Sequence, residues 1–360
     1  DTASGKSWFI VPDSMLEKEF IYFSHINDGV AQSGFTRGSY RNSKVISFHK
    51  HFDRIEIHAE NTNYHFDSTS PLARASSANI NTPILASHAI TDPNIELFAV
   101  PTGDSERFLQ SSPEYAMKRL LASGSGDIYQ LGKVFRYGEQ GKKHNPEFVM
   151  LEWYRVGWTH YQLIREVAEL LTLHLSVTSW QVWPLAALFE HFLGLDPREA
   201  SAERLHDASI TAGINVNGVL EKLDYIDLLM THIIEPQIAG WGLVFVTDFL
   251  AEQSALSRVI DRMGVPVAAR FEAYFQGVEL ANGYWEERCP VALSERFNED
   301  NKKRLARGQV LRVPDPQLLH ALESGLPDCA GVALGFDRLL MLRLGRDRMS
   351  QVLPFDWMNT

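Results

Sequence analysis

Apolar and polar positions change their rhythm near residue 80. Downstream, Met117, Leu120 and Leu121 fall at three- and four-residue spacing after Ser112-Pro113-Glu114. That pattern predicts a helix with Ser112 as N-cap and Pro113 at its first position. Residues 128–136 and 147–155 read as strands joined by a polar, glycine-containing tip, 137–146, which predicts a hairpin. Leu163, Ile164, Val167, Leu170 and Leu171 mark a second helix. Residues 180–261 read as several helical segments around one strand-like run, 243–246. Further on come a hairpin (270–275 and 278–282) about Gln276-Gly277, a polar basic helix with a solvated face over 296–308, and a helix over 317–325. A short strand, 331–334, then leads into a helix over 336–344 closed by Gly345. Hairpins interspersed with helices predict an α+β fold built on an antiparallel sheet.

Upstream of residue 80 the periodicity is weak. The segment 1–80 is rich in Ser, Asn, His and Thr, and 68–81 reads as loop. Gly5-Lys6-Ser7 has the tail of a phosphate-binding loop but lacks the upstream glycine. The chain is therefore divided into an atypical N-terminal segment, 1–80, and a regularly patterned domain, 81–360.

Composition narrows the class. Hydrophobic residues are 45% and charged residues 22% of the 360, enough apolar material for a sizeable core. A net charge of -11 argues against generic nucleic-acid binding, which relies on Lys and Arg, and favours partners with basic groups. Cys289 and Cys329 form no C-x-x-C pair, so neither a zinc site nor a disulfide framework is expected. No apolar run reaches membrane-spanning length and no signal-peptide layout opens the chain, so a cytoplasmic protein with reduced thiols is expected.

Three constellations carry chemistry. Phe135-Arg136 is followed by His144-Asn145-Pro146-Glu147-Phe148 and Met150-Leu151-Glu152-Trp153-Tyr154. Strand alternation puts Phe148, Met150, Glu152 and Tyr154 on one face, where a carboxylate calls for a cation. Glu279-Leu280-Ala281-Asn282-Gly283, with Glu286, supplies acids for a divalent metal or an amine. Gly331 to Leu339 turns from a small-residue strand into a helix carrying Arg338 in its first turn, a place that favours anions. Arginines for phosphate and carboxylates for metal and amine, without a Ser/His/Asp nucleophile set, fit adenylyl transfer. Taken singly, each constellation also has a structural reading: a salt bridge, an acidic surface strand, or close strand–helix packing.

Together the three resemble class II aminoacyl-tRNA synthetases. Phe135 to Tyr154 resembles their motif 2 and Gly331 to Leu339 their motif 3, while His144 to Tyr154 and Glu279 to Gly283 are of the lysyl type. Ser112 to Leu121 and Pro327 to Leu339 resemble the stand-alone lysyl-type paralogues that ligate lysine to elongation factor P; the likeness spans residues 83–345. The resemblance implies a class II synthetase fold and an ATP- and Mg2+-dependent, AMP-forming ligase acting on lysine or (R)-β-lysine. It further implies a homodimer, with elongation factor P rather than tRNA as acceptor. Ser112, Pro113, Glu114, Glu152, Tyr154, Asn282, Glu286 and Ala333 match amino-acid pocket positions. Arg136 matches the arginine on the α-phosphate and substrate carboxylate, and Arg338 the one on the γ-phosphate. Tyr137, Gly138, Glu139, Asn145, Glu279, Leu280 and Gly335 match ATP positions, with Glu279 also a metal ligand. Ala333 stands where lysyl-tRNA synthetases usually carry Gly, and its methyl suits an amino group displaced by one carbon.

Two departures stand out. The usual R-N-E of motif 2 reads Arg136-Tyr137-Gly138, with the acid one place later at Glu139. Motif 1 survives only as Thr82-Pro83-Ile84-Leu85 and Thr91-Asp92, which bears on dimer formation. A lysyl-tRNA synthetase is the first alternative; it calls for an N-terminal oligonucleotide-binding barrel, whose basic and aromatic interleaving 1–80 does not show. A non-catalytic paralogue is the second, and the presence of Arg136, Glu279 and Arg338 speaks against it.

Overall fold

The computed structural model describes residues 11–16, 18–25, 40–51, 54–59, 78–103, 105–215, 218 and 220–359. The chain divides into two compact units, Asp1–Ser77 and Ala78–Thr360. In the first, β1 (Glu19–His25), β2 (Tyr40–His51) and β3 (Arg54–Ala59) pair antiparallel in the order β1-β2-β3. The weak periodicity had concealed these strands, because Ser, Asn, His and Lys interrupt any two-residue alternation along β2. Gly5-Lys6-Ser7 and most of 68–81 lie outside the described residues.

The second unit opens with a small sheet, β4 (Leu85–Ala86), β5 (Ala99–Thr102) and β6 (Ser105–Leu109), ordered β4-β6-β5. Helix α1 (Glu114–Ala122) follows. Then come β7 (Ile128–Phe135), β8 (Glu147–Val156) and α2 (His160–Leu175). The stretch expected to be mainly helical contains β9 (Trp180–Pro184), α3 (Leu185–Leu193), α4 (Ala202–Thr211), α5 (Lys222–Leu229) and α6 (Glu235–Ile238). It then enters β10 (Leu243–Leu250) and β11 (Val259–Arg262). The chain continues through β12 (Val265–Phe275), β13 (Val278–Trp285), α7 (Pro290–Ala306), α8 (Pro316–Gly325), β14 (Cys329–Gly335) and α9 (Phe336–Arg343).

The main sheet runs β7-β8-β14-β13-β12-β10-β9, with β11 paired to β12. Every pairing is antiparallel except β9 with β10. β9 escaped the sequence reading because it is a five-residue, largely exposed edge, too short to display a period. The β12–β13 turn is set by Gln276 and Gly277, both at positive φ (51° and 67°), which suits a tight hairpin.

One sheet face is a dry core. Trp153, Phe245, Phe271, Ala273, Ala281, Val332 and Leu334 pack with Leu163, Ile164, Val167, Ala168 and Leu171 of α2. Helix α2 starts where the Gln162 side chain accepts the Thr159 N–H at 2.9 Å, one half of a capping box. The other face is left to the cavity. Gly283 is opposite Phe271 in register, and a Cβ there would overlap the Phe271 ring and lie 3.1 Å from Gly331 O. Gly283→Ala is therefore expected to cost about 1–3 kcal/mol of stability by overpacking. Urea unfolding checks this; an unchanged midpoint would show that the ring yields freely.

Two expectations need correcting. Helix α1 begins at Glu114, so Pro113 rather than Ser112 holds the cap position, although Ser112 Oγ still accepts the Glu114 N–H at 3.0 Å. The basic helix starts at Pro290 and is not merely a solvated face. Leu293 and Phe297 are buried, and Arg304, 1% exposed, donates to Glu96 at 2.7 Å and to Val310 O at 2.8 Å. A guanidinium can be buried there because carboxylate and carbonyl acceptors replace its water. Cys289 is exposed, Cys329 is buried, and both are free thiols. Among the described residues no helix is long and apolar enough to cross a membrane.

Candidate active site

A cavity of about 1400 Å3 opens over the free face of the main sheet. Cross-strand register builds its floor. Glu152 of β8 is opposite Ala333 of β14, Ala333 opposite Asn282 of β13, and Asn282 opposite Glu272 of β12. Two residues along, Tyr154, Gly331, Tyr284 and Arg270 form the next row on the same face. Gly331 keeps that row open: a Cβ would overlap the Tyr154 ring and lie 2.6 Å from Glu286 Oε1.

One end of the cavity gathers buried acids. Ser112 Oγ donates to Glu152 Oε2 at 2.7 Å, and Tyr154 Oη to Glu152 Oε1 at 2.8 Å. Within the chain these two hydroxyls are its hydrogen-bond partners, and among the described residues it forms no ion pair with Lys, Arg or His. Glu152 is 2% exposed, and burial, with the nearby Glu114 charge, pushes its carboxyl up to about 8 against the two hydroxyl hydrogen bonds. Lys118 is fully buried between Glu114 Oε1 at 2.8 Å and Glu286 Oε2 at 2.6 Å. Burial also pushes Glu286 up, to about 7, with Lys118 opposing. Pro113 completes this wall where the chain turns into α1.

The other end carries two arginines. Arg338, in the first turn of α9, donates to Glu279 O at 2.9 Å and Lys143 O at 3.2 Å, and its guanidinium meets Glu279 Oε2 at 3.5 Å. Arg136 is 3.6 Å from Glu139 Oε1 and 5.4 Å from the Phe148 ring centroid; its buried Nε has no acceptor among the described residues. His144 lines the same cavity, its imidazole held below the usual range by burial and by Arg338. Gly335 caps α9, and Leu280 lines the cavity from within the core. Asn145 is committed: Nδ2 donates to Glu147 O at 2.6 Å and Oδ1 accepts from Trp357 N at 3.0 Å.

Almost all the expected site residues therefore share one cavity. Tyr137 and Gly138 are not among its lining. Tyr137 is exposed, with its ring edge-on to Phe98 at 5.3 Å, and Gly138 turns at φ 80°. Glu279 and Glu286, seven residues apart, lie about 20 Å from one another along the strand, so they serve opposite ends and not one ion.

The sequence reading missed Lys118, Glu235, Arg270 and Glu272. Arg270 and Glu272 pair directly, and Tyr274 Oη donates to Glu272 at 2.6 Å. The alternation Arg270-Phe271-Glu272 held that signal: two opposite charges on one face of a strand whose other face is apolar. Beside Glu279, burial followed by mutual repulsion raises Glu235 to about 8, and burial raises Glu272 to about 7. Among the described residues no three His, Cys, Asp or Glu side chains are close enough to form a metal cluster. The acids here fit a cation held by one or two carboxylates and completed by phosphate oxygens.

A largely antiparallel sheet, flanked by helices, whose cavity gathers acids at one end and two arginines at the other, agrees with a class II synthetase fold. The family model described as tRNA synthetases class II (D, K and N) matches residues 70–359. Among curated proteins, the elongation factor P–(R)-β-lysine ligase of Vibrio cholerae serotype O1 is 42% identical over 284 residues, covering 77% of this chain and 87% of that protein. The enzymes of the same name from Photorhabdus laumondii and Mannheimia succiniciproducens are 42% and 39% identical, each over 77% of this chain and 87% of their own lengths. The chain belongs to the elongation factor P–(R)-β-lysine ligase family of class II synthetase-like enzymes.

Proposed function

We propose that the protein activates (R)-β-lysine, or lysine, with ATP and transfers it to a lysine side chain of elongation factor P. The observation that carries this reading is the two-ended cavity, with Glu114, Glu152 and Glu286 around one pole and Arg136 and Arg338 at the other. A substrate with two amino groups meets the acids, while its carboxylate is turned toward Arg136. A carboxylate oxygen then attacks the α-phosphorus of ATP, the bond to the β-phosphate oxygen breaks, and pyrophosphate leaves. Arg136 and Arg338 stabilise the negative charge that builds up on the phosphates. In the second step a deprotonated lysine Nζ of the acceptor attacks the acyl carbon, AMP leaves, and an amide forms. Nitrogen is nucleophilic enough that no covalent protein residue is required.

Ser112, Pro113, Asn282 and Ala333 shape the amino-acid end beside the three acids. Glu139, Leu280 and Gly335 line the nucleotide end; Tyr137, Gly138 and Asn145 are assigned to it by resemblance. Glu279, with Glu272 at its side, would hold Mg2+, which supplies charge neutralisation on the outer phosphates when bound. A cytoplasmic homodimer with an N-terminal segment over 1–80, and without a tRNA acceptor, completes the reading.

Acceptor choice tests it. Purified protein with ATP, Mg2+ and labelled (R)-β-lysine or lysine is offered elongation factor P and lysine tRNA in separate reactions. Label is expected on the protein acceptor. Label on tRNA instead, or no pyrophosphate exchange with either isomer, would overturn the proposal.

A further inference from the structure

We infer that Lys118 is a positioning residue for amine recognition, holding Oε2 of Glu286 so that Oε1 is presented, unshared, to a substrate ammonium. The inference rests on the proposed amino-acid pocket and extends it to a side chain that touches no substrate.

The geometry carries it. Lys118 has no exposure, and its Nζ is 2.8 Å from Glu114 Oε1 and 2.6 Å from Glu286 Oε2. It therefore joins the first two turns of α1 to the end of β13, and both of its partners line the cavity. Among the described residues neither Glu286 oxygen has a well-aligned hydrogen-bond donor; Oε2 keeps the ion pair with Lys118 at 2.6 Å, whereas Oε1 carries no such pair and lies 2.6 Å from where a Gly331 Cβ would stand. A buried carboxylate oxygen without a donor is costly unless a ligand supplies one.

The internal ammonium also sets the local charge. Around Glu286 stand Lys118 and Glu114 from α1, Glu152 and Tyr154 from β8, Tyr284 from β13, Cys329 from β14, and Arg258 near β11. Of these, Lys118 is the cation nearest the carboxylate oxygens; Arg258 donates to the Glu286 backbone carbonyl at 3.2 Å and is directed away from the pocket. Without Lys118, burial and the Glu114 charge would keep Glu286 protonated, and a neutral acid binds an ammonium poorly. A merely structural ion pair would predict a different outcome: loss of stability with no change in amino-acid selectivity or in pH response.

The test is pyrophosphate exchange by K118M between pH 6.5 and 9, with KM for (R)-β-lysine and for ATP measured separately. The expected result is a rise in amino-acid KM of at least about tenfold at pH 7, from the loss of one charge-assisted contact. KM for ATP should stay within about twofold, because the contact lies outside the nucleotide end. The defect should shrink as pH rises and Glu286 ionises, and K118R should recover part of it. K118M leaves two acids uncompensated and could unfold, so E114Q is also compared with E114Q/K118M, in which Glu286 is the remaining acid partner. An unchanged amino-acid KM and pH profile, or a parallel loss for both substrates with a lowered melting point, would overturn the inference. If the wild-type protein exchanges with neither isomer, the pocket assignment itself falls, and the role of Lys118 with it.

Discussion

Replacing Arg338 with alanine is expected to slow adenylate formation by about 10²–10³-fold, the usual effect of removing one preorganised charge from a transition state. The guanidinium is aimed before any ligand arrives. The Glu279 and Lys143 carbonyls and the Glu279 carboxylate hold it on the first turn of α9. Only part of its hydrogen-bonding capacity is used there, and the helix start adds its own attraction for anions. R338K keeps the charge but loses the fork that reaches two carbonyls at once, so an intermediate rate is expected. Single-turnover AMP and pyrophosphate measurements, alongside a melting curve, separate chemistry from folding. A wild-type single-turnover rate in R338A would remove Arg338 from the catalytic set.

Amino-acid affinity should rise with pH between 6 and 8.5. In the free pocket Glu152 is pushed up to about 8 and Glu286 to about 7, so one or both carry a proton at neutrality. A bound ammonium favours the ionised form, and binding must release what the free pocket held. Where one proton is released, KM for the amino acid should fall by about tenfold per pH unit. The stability of the free protein should move the other way. Both folded values lie above the ordinary 4.5, so the contribution of these groups is fully present below 4.5 and is lost as pH rises through 7 and 8. The free protein should therefore melt lower at pH 8.5 than at pH 6, while added lysine should raise the melting point more at pH 8.5. Calorimetry in buffers of differing ionisation enthalpy would count the protons directly. No proton release, or a KM that rises with pH, would show that both acids are already ionised in the free pocket.

Much of the site was legible in the sequence because it consists of local signals. Ser112-Pro113-Glu114 opens a helix, the β7–β8 hairpin carries Arg136 just past the end of β7 and Glu152 within β8, and Gly331 to Arg338 forms a strand–helix turn. Periods of two and 3.6 residues fix which side chains share a face within each element. They do not fix the pairing between elements. The edge strand β9 was too short for a period to be seen, and the burial of Arg304 depends on Glu96, more than 200 positions earlier.

By itself, then, the sequence determined the α+β class, the hairpins, the two arginines, and the acids of the proposed amino-acid pocket. Only the tertiary structure decided what each acid has for company. Within the chain Glu152 is answered by two hydroxyls and Glu286 by a lysine from another element; Glu279 and Glu286, close in sequence, belong to opposite ends of one cavity. The physical reason is that an ionisable group takes its charge state from its whole surroundings. Strand register and helix docking, rather than local spacing, bring those surroundings together.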